Sequence, residues 1–223
     1  KNELVSGRVA HAYLFTGSRG TGKTTCAKIL SKAVNCLSPH DGDPCNECEI
    51  CRGIDNGSVL DVIEIDAASN NGVDNIRDLR DEANFTPVKA KYRVYIIDEV
   101  HMLSTGAFNA LLKTLEEPPE NVMFILATTE PQKLPATILS RCLRLDFKRV
   151  PQALLMEGMR RIGAEKGVSL TDSALKLLAN CADGSVRDGL SVLDQVLASG
   201  QKQIDRSDVL EYIGAAGEDF FIE

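Results

Sequence analysis

One octapeptide narrows the possible folds of this chain more than any other stretch. Gly17-Ser18-Arg19-Gly20-Thr21-Gly22-Lys23-Thr24 satisfies G-x4-G-K-[ST] at every fixed position, and Thr25 follows it. Glycines at these places let successive backbone N–H groups turn inward around phosphate oxygens. A helix beginning at Lys23 adds the positive end of its dipole. Lys23 offers a mobile ammonium to β- and γ-phosphates, and Thr24 a hydroxyl to Mg²⁺. Such a loop needs a buried strand before it and a helix after it, and the flanks agree. His11–Thr16 is a short apolar run that stops at Gly17, and Ala27, Leu30, Ala33 and Val34 share one face of a helix over Lys23–Val34.

The alternation continues. Val59–Ile65, Val94–Ile97, Val122–Thr128 and Leu143–Phe147 read as strands. Val73–Ala83 reads as a helix, as does the segment carrying Phe108, Leu111, Leu112 and Leu115, which Pro118-Pro119 stops. Strands alternating with helices predict an α/β fold whose parallel sheet is covered on both faces. From Pro151 onward the strand signal disappears, and helices are expected at about 151–165, 171–182, 185–199 and 206–213. The expected organisation is a nucleotide-binding domain over 1–149, an all-helical lid over 150–217, and the start of a truncated third domain at 218–223.

A chain that is 43% apolar and 26% charged can bury a core, so disorder and disulfide-scaffold classes are excluded. No apolar run reaches the roughly 18 residues of a membrane-spanning helix. No secretory signal heads the chain, and Lys1 is read as the start of a trimmed fragment of a cytoplasmic protein. The net charge of −7 lacks the basic excess of a free-standing duplex binder.

Four of the seven cysteines crowd into Cys36-x8-Cys45-x2-Cys48-x2-Cys51. Two-residue gaps aim neighbouring thiolates at one ion, and Pro39, Gly42 and Pro44 supply a turn that returns the fourth. Four thiolates with no open position suit structural Zn²⁺; an iron–sulfur cluster is the rival, disfavoured by the long gap and the absence of a following Cys-Pro. Cys26, Cys142 and Cys181 sit in apolar contexts and read as small buried side chains.

Further along, an apolar strand ends in Asp98-Glu99. Strand tips in α/β sheets face the ligand crevice. Asp98 can hold magnesium through water, and Glu99 can polarise an attacking water as general base, which points to hydrolysis rather than binding alone. Thr128 and Thr129 end the next strand, where a hydroxyl can contact the γ-phosphate. Arg187 opens a helix of the lid and either reaches phosphate or pairs with Asp183 or Asp188. Arg141, in Ser140-Arg141-Cys142, follows a turn begun by Pro135.

Together with Ile97-Asp98-Glu99-Val100-His101, Leu111–Pro119 and Ala127-Thr128-Thr129, these residues resemble the γ/τ subunits of the bacterial DNA polymerase III clamp loader, members of the AAA+ ATPases. The likeness runs from the first strand to about residue 214. The cysteine insert separates the chain from archaeal and eukaryotic clamp-loader subunits. The intact Lys23 and Thr24 separate it from the similar δ′ subunit, whose phosphate loop does not work. The resemblance implies a five-stranded AAA+ domain followed by a helical lid, with ATP, Mg²⁺ and Zn²⁺ as cofactors. It assigns Thr24 and Asp98 to Mg²⁺, Glu99 to the base, a threonine at 128–129 to the first sensor and Arg187 to the second. It makes Arg141 an arginine finger directed at ATP on a neighbouring subunit, where it stabilises developing charge only after assembly.

The implied partners are the δ, δ′ and further γ/τ subunits, the sliding clamp, primer–template DNA, and the polymerase core through a region beyond this chain; no membrane is involved. An N-terminal segment that encloses adenine and a collar domain are expected to lie outside it, so the fragment alone is expected to be monomeric with little hydrolysis. A nucleotide-gated scaffold and a different AAA+ enzyme, such as a branch-migration helicase subunit, are the other readings. A small-molecule kinase is weaker, because nothing resembles an acceptor pocket. For DNA contact the sequence offers Lys89, Lys91 and Arg93, and Arg77 and Arg80 on one helix, although such clusters are usually solvated faces.

Overall fold

The computed structural model of the chain describes residues 2–217. The elements are α1 (Asn2–Ser6), β1 (Ala12–Gly17), α2 (Lys23–Asn35), α3 (Glu49–Asp55), β2 (Val62–Asp66), α4 (Val73–Ala83), β3 (Arg93–Asp98), α5 (Thr105–Glu116), β4 (Val122–Thr128), α6 (Ala136–Leu139) and β5 (Leu143–Phe147). They continue with α7 (Gln152–Glu165), β6 (Ser169–Leu170), α8 (Asp172–Ala182), α9 (Val186–Leu197), β7 (Gln203–Ile204) and α10 (Arg206–Gly217). Backbone packing separates two units. The first runs to Phe147 except for Ser18–Gly22, which group with the second, from Lys148 onward.

In the first unit the strands form one sheet in the order β2-β3-β4-β1-β5, and every pair is parallel. β4 is buried along its whole length, so it shows the unbroken apolar run of a strand covered on both faces. On one face Leu14, Tyr95, Ile97, Phe124 and Leu126 pack with Ile76 and Leu79 of α4 and Phe108, Leu111 and Leu115 of α5. On the other, Tyr13, Phe15, Val94, Ile96, Met123 and Ile125 pack with Ala27 and Val34 of α2. α5 starts where the Ser104 hydroxyl accepts the Ala107 N–H at 3.2 Å, satisfying a donor that the helix itself leaves unpaired.

The sequence placed β2 three residues too early. Val59 instead packs on Ile50 and Ile54 of α3, a helix inside the cysteine insert that the apolar pattern is too short to announce. Asp61, 1% exposed, accepts hydrogen bonds from the N–H groups of Val88, Lys89 and Ala90 at 2.8–3.0 Å.

The second unit has its own core, built on Leu155, Met159, Leu175, Leu178, Leu193 and Val196. It is not purely helical as expected: β6 and β7 pair in parallel, with Leu170 and Ile204 buried. Two-residue strands are too short to show alternation. Cys181 is exposed on α8 rather than buried, and Cys26 and Cys142 are half-buried. Residues 218–223, expected to begin a third domain, lie outside the described residues.

Candidate nucleotide and metal sites

Because β3, β4 and β1 are parallel neighbours, the residues following them emerge on one edge of the sheet. Gly17, Asp98 and Thr128 are the last residues of these strands. Gly17 has φ +150°, and a Cβ there would run into the Phe147 backbone. Gly22 has φ +94° with open space beside it, a left-handed conformation that side chains disfavour and a clear approach for a ligand to the backbone. Lys23 opens α2, is only 6% exposed, and its Nζ donates to the Gly17 carbonyl at 2.9 Å. The Thr21 hydroxyl donates to the Ser18 carbonyl at 2.8 Å.

Next to Lys23, the Thr24 hydroxyl donates to Asp98 Oδ2 at 2.6 Å. The Glu99 N–H donates to the other carboxylate oxygen, Oδ1, at 2.9 Å. Two hard oxygen ligands thus converge from α2 and β3, a donor set suited to Mg²⁺. Glu99 itself sits at φ 46°, ψ 45°, a left-handed conformation that costs a non-glycine residue about 1 kcal/mol or more. Its Oε2 accepts from the Thr129 hydroxyl at 3.0 Å and from the Thr129 N–H at 3.3 Å.

His101, which the sequence motif contains but to which no role was given, completes the cluster. Its side chain is 6% exposed. Nδ1 lies 3.0 Å from Thr128 Oγ1 and 3.4 Å from Glu99 Oε2, and Nε2 lies 3.3 Å from Glu130 Oε1. The Lys133 ammonium, hydrogen-bonded to Glu130 at 2.8 Å, holds that carboxyl below the usual range. A histidine three residues after the strand-end carboxylate Asp98 is the sequence signal that points to it.

Of the residues singled out from sequence, Lys23, Thr24, Asp98, Glu99, Thr128 and Thr129 come together at this edge. Arg141 does not. It lies between α6 and β5, with its guanidinium on Glu116 at the end of α5. Arg187 is an exposed residue of α9 with no ion pair among the described residues, and Asp183 pairs with Arg149 instead. Among the basic residues considered for DNA, Arg77 pairs with Asp74, Arg80 with Asp81, and Arg93 with Asp61. Lys91 lies over the Tyr92 ring, and Lys89 is exposed.

The four sulfurs of Cys36, Cys45, Cys48 and Cys51 all lie within 4.8 Å of one another. N–H groups of Cys45, Cys48 and Cys51 donate to the sulfurs of Cys36, Cys45 and Cys48 at 3.3–3.4 Å. Burial opposes ionisation at Cys48, yet hydrogen bonds from Leu37 and Cys51 outweigh it and bring the thiol down to about 6. Burial and the neighbouring Cys48 push Cys51 up to about 12. Four sulfurs this close together are a donor set that fits a single tetrahedral cation such as Zn²⁺.

A family profile described as DNA polymerase III, delta subunit, matches residues 1–151, and one described as DNA polymerase III clamp loader subunit, ATPase lid domain, matches 155–202. DNA polymerase III subunit tau of Bacillus subtilis is 55% identical over 218 residues, 98% of this chain. The chain belongs to the γ/τ family of DNA polymerase III clamp-loader subunits.

Subunit tau of Escherichia coli is 49% identical over 98% of the chain, and subunit gamma of Buchnera aphidicola from Acyrthosiphon pisum is 42% identical over 98%. This γ/τ chain spans 39%, 34% and 61% of those three relatives. Among solved structures, the Thermotoga maritima RuvB Holliday junction branch migration motor matches with a TM-score of 0.71 at 18% identity, covering 96% of this chain and 64% of that one. The two share the AAA+ fold; family membership separates the chain from that motor.

Proposed function

We propose that this chain is the ATP-binding and ATP-hydrolysing part of a replicative clamp-loader subunit, which uses ATP to open a sliding clamp and load it on primed DNA. The observation that carries the reading is the 2.6 Å approach of the Thr24 hydroxyl to Asp98, with Glu99 the next residue along. In it, residues 1–149 bind nucleotide and 150–217 form the lid. Backbone N–H groups of Gly17–Thr25 cradle the phosphates, Lys23 neutralises them, and Thr24 and Asp98 hold Mg²⁺. Bound there, magnesium would withdraw charge from the phosphate oxygens. Glu99 orients and deprotonates the attacking water, with Thr128 at the end of β4 or Thr129 just after it as the first sensor of the γ-phosphate and Arg187 as the second. Arg141 acts on the ATP of a neighbouring subunit. Cys36, Cys45, Cys48 and Cys51 hold a structural Zn²⁺. The partners are further clamp-loader subunits, the sliding clamp and primer–template DNA, in the cytoplasm.

ATPase turnover of the full-length polypeptide, assembled with its partner subunits, tests this. Stimulation by sliding clamp plus primed template is expected. Turnover indifferent to both would overturn the clamp-loading reading, and wild-type clamp loading by Glu99→Gln would favour a nucleotide-gated scaffold.

A further inference from the structure

The guanidinium of Arg141 is held at three points by its own subunit. Nη1 donates to the Thr137 carbonyl at 2.8 Å and to Ser140 Oγ at 3.3 Å, and Nη2 donates to Glu116 Oε1 at 2.7 Å. An arginine has five N–H donors in a rigid plane, so two remain: the second proton of Nη2 and that of Nε. The Arg141 side chain keeps 32% of its surface exposed, enough to offer those two outward. Thr137 and Ser140 are sequence neighbours of Arg141, and their hold on it is local. Glu116 comes from elsewhere in the chain, the last residue of α5, and among the described residues it is the partner that fixes the guanidinium against an element distant in sequence.

We infer that Glu116 is the positioning residue for Arg141, orienting its free N–H edge toward the phosphates of the adjoining subunit. The inference rests on the trans-acting role proposed for Arg141. A long flexible side chain pays rotamer entropy each time it is ordered; a carboxylate that orders it beforehand removes that cost from the transition state. An exposed ion pair contributes little to stability, so the value of this one lies in orientation rather than in folding.

The test uses full-length subunits assembled into the loader, with turnover and the affinity for a fluorescent ATP analogue measured side by side. Glu116→Ala is expected to lower turnover about tenfold or more while leaving analogue affinity within twofold, and Glu116→Gln, which keeps an acceptor oxygen, to restore much of it. The double variant Glu116→Ala/Arg141→Ala should be no slower than Arg141→Ala alone. In mixed assemblies, adding Glu116→Ala to a copy already carrying Glu99→Gln should lower turnover further, because the affected finger serves the neighbour's site. If Glu116→Ala turns over at the wild-type rate while Arg141→Ala is inactive, Glu116 has no positioning role and the function reading stands. If Arg141→Ala turns over normally, the trans-acting role of Arg141 fails and the inference with it.

Discussion

Thr129 grips Glu99 twice, through its hydroxyl at 3.0 Å and its backbone N–H at 3.3 Å, both to the same carboxylate oxygen. The residue that follows β4 therefore sets the direction of the carboxylate that follows β3. Glu99 takes a left-handed conformation just before the 3₁₀ turn Val100–Met102, and its side chain would otherwise have several rotamers available. Thr129→Val removes the hydroxyl while keeping shape. A hydrogen bond to a charged group is worth about 1.5 kcal/mol, so turnover in the assembled loader should fall about tenfold with ATP affinity unchanged. Steady-state kinetics beside nucleotide titration separate the two.

Replacing the carboxylate itself is more severe. Glu99→Gln keeps the size and one acceptor but cannot take a proton. We expect turnover to drop by about two to four orders of magnitude, with nucleotide still bound. A single-turnover assay with radiolabelled ATP measures the residual rate.

Lys23 is the cation of the phosphate loop, only 6% exposed at the start of α2. Its removal takes away a charge-assisted contact to phosphate. Lys23→Ala should weaken ATP binding by about a hundredfold or more, read by fluorescence titration with a labelled nucleotide. Unaltered affinity would mean that the loop does not hold the triphosphate.

Asp61 stabilises the fold rather than the site. Its buried carboxylate ties the N–H groups of Val88, Lys89 and Ala90 to the start of β2, with Arg93 3.6 Å away. Burial raises its pKa, but the three N–H donors and Arg93 more than offset this, so the folded value lies below that of a free aspartate. A depressed folded pKa gives stability that is fully present above the unfolded value of about 3.9 and is lost as pH falls through the folded one. Asp61→Ala should cost about 3 kcal/mol at neutral pH, and the gap between variant and wild type should narrow below about pH 4. Denaturant unfolding at several pH values checks both.

Elemental analysis should find about one zinc per chain, lost in Cys48→Ser and Cys51→Ser. Loss of the ion should loosen the insert around α3, which is otherwise held by the small cluster of Ile50, Ile54 and Val59 and by the ion pair between Lys32 of α2 and Asp55. Amide exchange over residues 36–58 should rise after chelation while β4 stays protected.

Much of this could be read from the residues alone, for a physical reason: phosphate loops, strand-end carboxylates and closely spaced thiolates are local arrangements. Gly17–Thr24 fixes its backbone within eight residues, the cysteine insert within sixteen, and β4 declares its double burial by an unbroken apolar run. Such patterns need no knowledge of what lies opposite. The relationships between distant segments were another matter. That His101 stands between Glu99, Thr128 and Glu130, that Asp61 gathers a loop some twenty-seven positions away, and that Glu116 holds Arg141 across twenty-five are products of strand order and helix packing. No periodicity encodes them, because each is made by two stretches whose separate sequences are satisfied without the other. Local chemistry wrote the sites; parallel strand order in the sheet chose which side chains would steady them.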